Sequence, residues 1–163
     1  MLVLAAACSS SSSGVSTSAA PSTTAVPHGY KAMILRVTDA AGGAHEWCVL
    51  VAETEAQKEH GLMGVDSLGG YDGMLFRFDS PVQDSFYMFR TRIPLSIAFF
   101  DTDGAFVSTQ DMPPCTASKS GDCPLYGASG SYTDALEAVE GGLPGLGIGP
   151  GSHIAVGAEC TRP

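Results

Sequence analysis

The apolar residues of this 163-residue chain come in short runs, and nearly every run is closed by a cluster of Gly, Asp or Pro. Residues 31–38 alternate, with Met33, Leu35 and Val37 on one face, before the turn Asp39-Ala-Ala-Gly-Gly43. A second run at 45–52 completes a β-hairpin pattern. Runs at 74–78, 85–91 and 95–101 are rich in aromatic and branched residues, and the turn Asp101-Thr-Asp-Gly104 leads into 105–109. Ile154, Val156 and Ala158 share a face of a last strand at 153–158. Thr54 with Gln57 forms a capping box, and Gly61 stops the short helix it opens over 54–60. Several short strands at this spacing predict a mainly β fold, a single antiparallel β-sandwich or barrel with one or two short helices. Ala135-Leu-Glu-Ala-Val139 is ambiguous, because its propensities are helical but its length before Gly141 is short for a helix.

No apolar run reaches the roughly 20 residues that a membrane-spanning helix needs. Residues 1–7 are wholly apolar and end in Ala-Ala-Ala just before Cys8, which resembles a bacterial lipobox at the end of a truncated signal segment. Ala5 stands where Leu is usual, and no positive charge precedes it. The resemblance implies cleavage before Cys8, a diacylglyceryl thioether on its sulfur, and a place in the cell envelope, anchored outside the cytoplasm. Residues 9–27 hold eight Ser, three Thr, three Ala and two Pro without a charge. Such a composition buries too little apolar surface to offset the entropy of ordering, so residues 8–28 read as a disordered tether reaching about 20–25 Å. The domain then occupies 29–163. Lys and Arg number 8 against 17 Asp and Glu, a net charge of −9 with no basic cluster, which argues against nucleic acid as a partner.

With Cys8 lipidated, Cys48, Cys115, Cys123 and Cys160 remain, and an even number outside the cytoplasm reads as two disulfides with three possible pairings. Cys115 and Cys123 enclose a polar, turn-rich segment, so a local clip is the simplest arrangement, and Cys48 would then pair with Cys160. A four-Cys zinc site lacks the short spacing such sites use.

The segments Ala52-Glu-Thr54, Gly61-Leu-Met63, Gly73-Met-Leu-Phe76, Phe86-Tyr-Met88 and Thr91-Arg-Ile-Pro-Leu95-Ser-Ile-Ala-Phe99 follow one another in a distinctive order. With Met112-Pro-Pro-Cys115, Cys123-Pro-Leu-Tyr126, Leu136-Glu137 and Gly149-Pro-Gly151, they resemble the prokaryotic domain-of-unknown-function 192 family over about residues 45–157. The resemblance implies a compact jelly-roll-like β fold with Leu136-Glu137 on a strand. It implies no biochemical activity. Members of that family commonly carry Phe-Trp-Met-Lys-Asn-Thr where this chain has Phe86-Tyr-Met-Phe-Arg-Thr91, and Asp where it has Ser96. Lys58 and His60 stand where the family often has Arg.

No nucleophile elbow, HExxH motif, phosphate loop or dinucleotide fingerprint is present in the sequence, so no catalytic residue and no cofactor is assigned. Asp101 and Asp103 suit a turn better than a calcium loop, which would need a closing Glu. His60, Met63, Met74, Met88 and Met112 offer soft donors that would suit Cu(I), although isolated Met usually fills core gaps. Nine of the thirteen aromatics fall between residues 71 and 106. The strand reading of 85–91 makes both its faces apolar, so one face needs cover or a ligand. Asp84, Tyr87, Arg90, Thr91, Asp101 and Glu137 are the polar candidates for a ligand groove there, unless Arg90 simply pairs with Asp84. Such a groove fits an envelope-anchored, non-enzymatic binding or accessory module for a small-molecule, glycan or protein ligand. A hydrolase of envelope polymers and an extracytoplasmic Cu(I) carrier are the alternatives.

Cys8→Ser is expected to move the protein from the membrane fraction to the soluble fraction. Retention of this variant on membranes would contradict lipid anchoring.

Overall fold

The computed structural model describes residues 29–161; Cys8, the apolar leader and the tether lie outside them. β1 (Lys31–Thr38) and β2 (Ala44–Ala52) form the expected hairpin, paired in register from Lys31 opposite Val51 to Thr38 opposite Ala44. Asp39 closes it, its Oδ1 accepting from the amides of Ala41 and Gly43 and its Oδ2 bonding His45 Nε2 at 2.9 Å. Helix α1 (Glu55–His60) is opened by the capping box: Thr54 Oγ1 accepts from Gln57 N–H, and Gln57 Oε1 accepts from Thr54 N–H. Then come β3 (Met74–Val82), β4 (Ser85–Phe86), β5 (Leu95–Phe100), β6 (Phe106–Met112), β7 (Tyr126–Gly127), β8 (Tyr132–Val139) and β9 (His153–Glu159). Short 3-10 turns occupy Ser120–Asp122 and Leu143–Leu146.

Seven strands form one sheet in the order β6-β5-β8-β3-β2-β1-β9, while β4 and β7 pair separately. The chain is thus a single mainly β domain, as its pattern of short apolar runs predicts. One neighbouring pair, β2 and β3, is parallel, because the segment carrying α1 crosses over the sheet instead of turning back. Ala135-Leu-Glu-Ala-Val139 is strand: β8 is hydrogen-bonded between β3 and β5, and that tertiary pairing overrides its helical propensity.

The sheet is buried on both faces, most clearly at β5, all six of whose residues are buried. Leu95, Ile97 and Phe99 join Met74, Phe76 and Tyr132 in one apolar layer, while Ala98 and Phe100 join Leu35, Leu75 and Leu136 in the other. Met74, Met88 and Met112 are packed in the first layer as core residues, each at most 1 % exposed, which separates them from His60 and Met63 of the Cu(I) set. At one end the two sheet edges touch: Phe106 N–H donates to Ser152 C=O at 3.0 Å and Ile154 N–H to Gly104 C=O at 2.8 Å. Gly104 (φ +79°) is required there, since a Cβ would lie 2.2 Å from the Ile154 carbonyl oxygen.

The strand expected over 85–91 is cut to Ser85–Phe86. Beyond it the chain turns, with Met88 C=O accepting from Thr91 N–H at 3.2 Å and from Cys115 N–H at 3.3 Å. Both disulfides have the pairing favoured by the sequence, Cys48–Cys160 and Cys115–Cys123. In the chain-entropy picture the bridge spanning 112 residues stabilises by about 4–5 kcal/mol and the one spanning 8 by about 2–3 kcal/mol. Replacing Cys48 and Cys160 together by Ala is therefore expected to lower the thermal midpoint more than replacing Cys115 and Cys123. Equal losses in scanning calorimetry would contradict this order.

Candidate functional site

Alternation along β3 sends Phe76 and Phe78 to the same face as Met74, and the register of β8 brings Glu137 opposite Met74. On this face the sheet is only partly covered. Helix α1, the turn after it and the segment carrying β4 leave a cleft of about 640 Å³ between them. Its aromatic wall is interlocked: Phe76 meets Phe86 edge-on at 5.0 Å, Phe78 meets Tyr132 edge-on at 5.4 Å, and Phe86 lies 6.4 Å from Tyr132. Tyr132 is fully buried and its hydroxyl donates to the backbone carbonyl of Asp84 at 3.0 Å, tying the segment before β4 to the sheet. Lys58 reaches over the Phe78 ring, 4.4 Å from its centre, and its Nζ lies 2.6 Å from Glu55 Oε1.

Glu137 lines this cleft yet is only 5 % exposed. Its neighbours across the sheet, Met74 and Ile97, are apolar and fully buried. Among the described residues its carboxyl accepts no hydrogen bond, and its oxygens open on the cleft. Desolvation pushes its pKa from the usual value near 4.5 up to about 8. Tyr30, whose hydroxyl donates to the carbonyls of Gln57 and Gly61, also titrates high, first from its own burial and second from the nearby Glu137 charge. With Glu55, Glu59 and Asp84 also lining the cleft, its character is aromatic and acidic.

Four of the six groove candidates meet here: Asp84, Tyr87, Thr91 and Glu137. The other two do not. Asp101 is a turn former, its Oδ1 accepting from the amides of Asp103 and Ala105 at 2.9 Å, and it lines no part of the cleft. Arg90 lines an adjoining basin instead, and among the described residues it forms no ion pair with Asp84. Its φ of +59° makes it the one non-glycine residue in the left-handed region among those described, a conformation costing about 1 kcal/mol or more for such a side chain. His60 and Met63 sit where cleft and basin meet. No group of three or more His, Cys, Asp or Glu suited to a metal ion occurs among the described residues. Sequence reasoning missed the aromatic wall of Phe76, Phe78, Phe86 and Tyr132, and it missed Lys58. The alternation of Met74, Phe76 and Phe78 was the signal available for part of it.

The fold and cleft define a class: a single curled β-sheet domain with a buried acid at the floor of an aromatic cleft. Within that class, the chain belongs to the DUF192 family, described as uncharacterized ACR, whose family model matches residues 36–156. It is similar in structure to a protein of unknown function from Novosphingobium aromaticivorans, with 28% identity and a TM-score of 0.68, covering 90% of this chain and 99% of that one. It shares its fold with a Sinorhizobium meliloti protein described as a candidate transcription regulator, with 24% identity and a TM-score of 0.70, covering 80% of this chain and 98% of that one. None of the curated proteins matches the chain.

Because the folded Glu137 titrates near 8 and the unfolded residue near 4.5, the folded state holds a proton that the unfolded chain releases in between. Its burial thus carries no ionisation cost below the unfolded pKa, and stability falls as pH rises through that window, by up to about 1.4 kcal/mol per pH unit. Glu137→Gln is expected to match the unaltered chain at pH 4 and to surpass it at pH 8 in urea midpoint. Parallel pH profiles for the two proteins would contradict this assignment.

Proposed function

We propose that the domain is a non-enzymatic binding module, held at the cell envelope by a lipid on Cys8, whose cleft takes a sugar ring of a glycan. The observation that carries this reading is Glu137, a nearly buried residue whose carboxyl opens on the floor of the cleft and accepts no hydrogen bond from the described residues. A buried polar group without a partner costs stability, and a ligand hydroxyl that meets it removes that cost on binding. The edges and faces of Phe78 and Phe86 offer apolar surface to the C–H face of a ring, while Lys58, Asp84 and Gln83 at the margin offer polar partners. The layout of lipobox, uncharged tether and two disulfides supports an extracytoplasmic site for this capture.

One observation favours a second reading, a hydrolase of envelope polymers: a carboxyl that stays protonated near neutral pH in an open cleft that Asp84 also lines resembles a general acid. A Cu(I) carrier is left with only His60 and Met63 at the cleft's lip.

Titration of the full chain with neutral N-acetylated oligosaccharides, followed by NMR, is expected to show saturable binding centred on the cleft. Glu137→Leu should weaken it by about tenfold or more, the equivalent of about 1.4 kcal/mol. Absence of binding would sink the reading. Release of new reducing ends that ceases in Glu137→Gln would establish the hydrolase instead.

A further inference from the structure

The basin beside the cleft has about 700 Å³ and the opposite electrostatic character. Arg90, Arg92 and His60 line it, and among the described residues no carboxylate does. The two guanidinium groups are not equivalent. Arg92 Nη1 is held by Asp66, at 3.1 Å from Oδ1 and 3.2 Å from Oδ2. Arg90 has no acidic partner among the described residues and rests against its neighbour's ring, 5.1 Å from the centre of Phe89.

The backbone at Arg90 is fixed from two sides. Its carbonyl accepts from Gly64 N–H at 2.9 Å, and the turn it sits in is pinned through Met88 C=O to Cys115, itself crosslinked to Cys123. A flexible, charged side chain is thereby mounted on a rigid turn, in a left-handed conformation that Gly or Asn would adopt with less strain. A free planar guanidinium on an immobile base is a good fork for a carboxylate or phosphate. Cleft and basin share a border formed by His60, Met63 and Thr91, so one ligand can span both.

We infer that the basin is an anion subsite of the cleft, so that the preferred ligand is a sugar carrying an anionic substituent, its ring in the cleft and its anion on Arg90. This rests on the glycan reading given above and narrows the ligand class. The charge distribution also sets the direction of binding. Glu55, Glu59 and Asp84 repel an anion from the cleft itself, which leaves the basin as its place.

The test compares three probes by NMR titration of the full chain at low salt: N-acetylglucosamine, N-acetylmuramic acid (carboxylate) and N-acetylglucosamine 6-phosphate (phosphate). At least one charged sugar should bind about tenfold more tightly than the neutral one, and which of the two does so identifies the source of the anion. Salt should erode that advantage and leave neutral binding unchanged. Arg90→Asn should reduce the charged sugar's affinity to that of the neutral sugar, and Arg90→Lys should retain part of the preference. Because Asn suits the backbone at this position, the variant should melt no lower than the unaltered chain, so its loss of preference is not a loss of folding. If neutral and charged sugars bind equally, or if Arg90→Asn keeps the preference, the anion subsite is overturned while the cleft reading stands. If none of the three binds, both are overturned.

Discussion

Glu137 sits on β8 with Met74 opposite it on one side and Ile97 on the other, so its carboxyl leaves the sheet into an apolar layer. A carboxylate in such surroundings is costly, and the group responds by keeping its proton rather than by finding a counter-ion. The remainder of the fold is arranged so that this cost is tolerable. The sheet is packed on both faces, β5 and β8 are buried nearly along their whole lengths, and the chain is crosslinked twice. The cleft exists because α1 and the β4 segment do not close over this face of the sheet, while interlocked Phe76, Phe78, Phe86 and Tyr132 hold the opening in shape.

The parallel pairing of β2 with β3 is what brings these parts together. A hairpin at this point would have kept the chain in the plane of the sheet. The crossover instead carries α1 onto the face where Glu137 emerges, so Lys58 and His60 reach the rim. The same crossover supplies Gly64, whose amide holds the Arg90 carbonyl. Acidic cleft and basic basin are therefore two products of one connection.

Local signals carried far in this sequence. The hairpin of β1 and β2, the capping box of Thr54 and Gln57, the turn at Asp101 and the pairing of the cysteines all rest on residues close in sequence or on simple elimination, and the structure contains each. Glu137 was legible through the family resemblance, not through propensity, because its strand identity depends on β3 and β5 on either side. An aromatic-walled groove near residues 86–90 was legible, but its assembly was not, since Phe76, Phe78, Phe86 and Tyr132 come from β3, β4 and β8 and need the crossover to meet. Position 90 was misjudged for a specific physical reason. The continuous apolar run of residues 86–89 mimics a strand, while the chain leaves β4 after Phe86 and turns through the left-handed Arg90. Arg itself gives no sign of this conformation, which Gly or Asn adopts more readily, so the turn stayed hidden in the sequence.

The Cys48–Cys160 bridge also has a mechanical meaning. Strand β1 is the first element after residue 29, and it lies between β2 and β9, paired with both. Cys48 belongs to β2 and Cys160 follows β9, so the covalent link joins the two neighbours of β1 across it. A pull on the chain from its N-terminal side would run along β1 and load its hydrogen bonds in shear, all at once, with flanking strands unable to spread apart. The force would pass first through Gly29 and Tyr30, which are bonded to Gln57 and Gly61 at the edge of the cleft. A domain pulled from that side would thus feel the tension at its cleft before its sheet began to give.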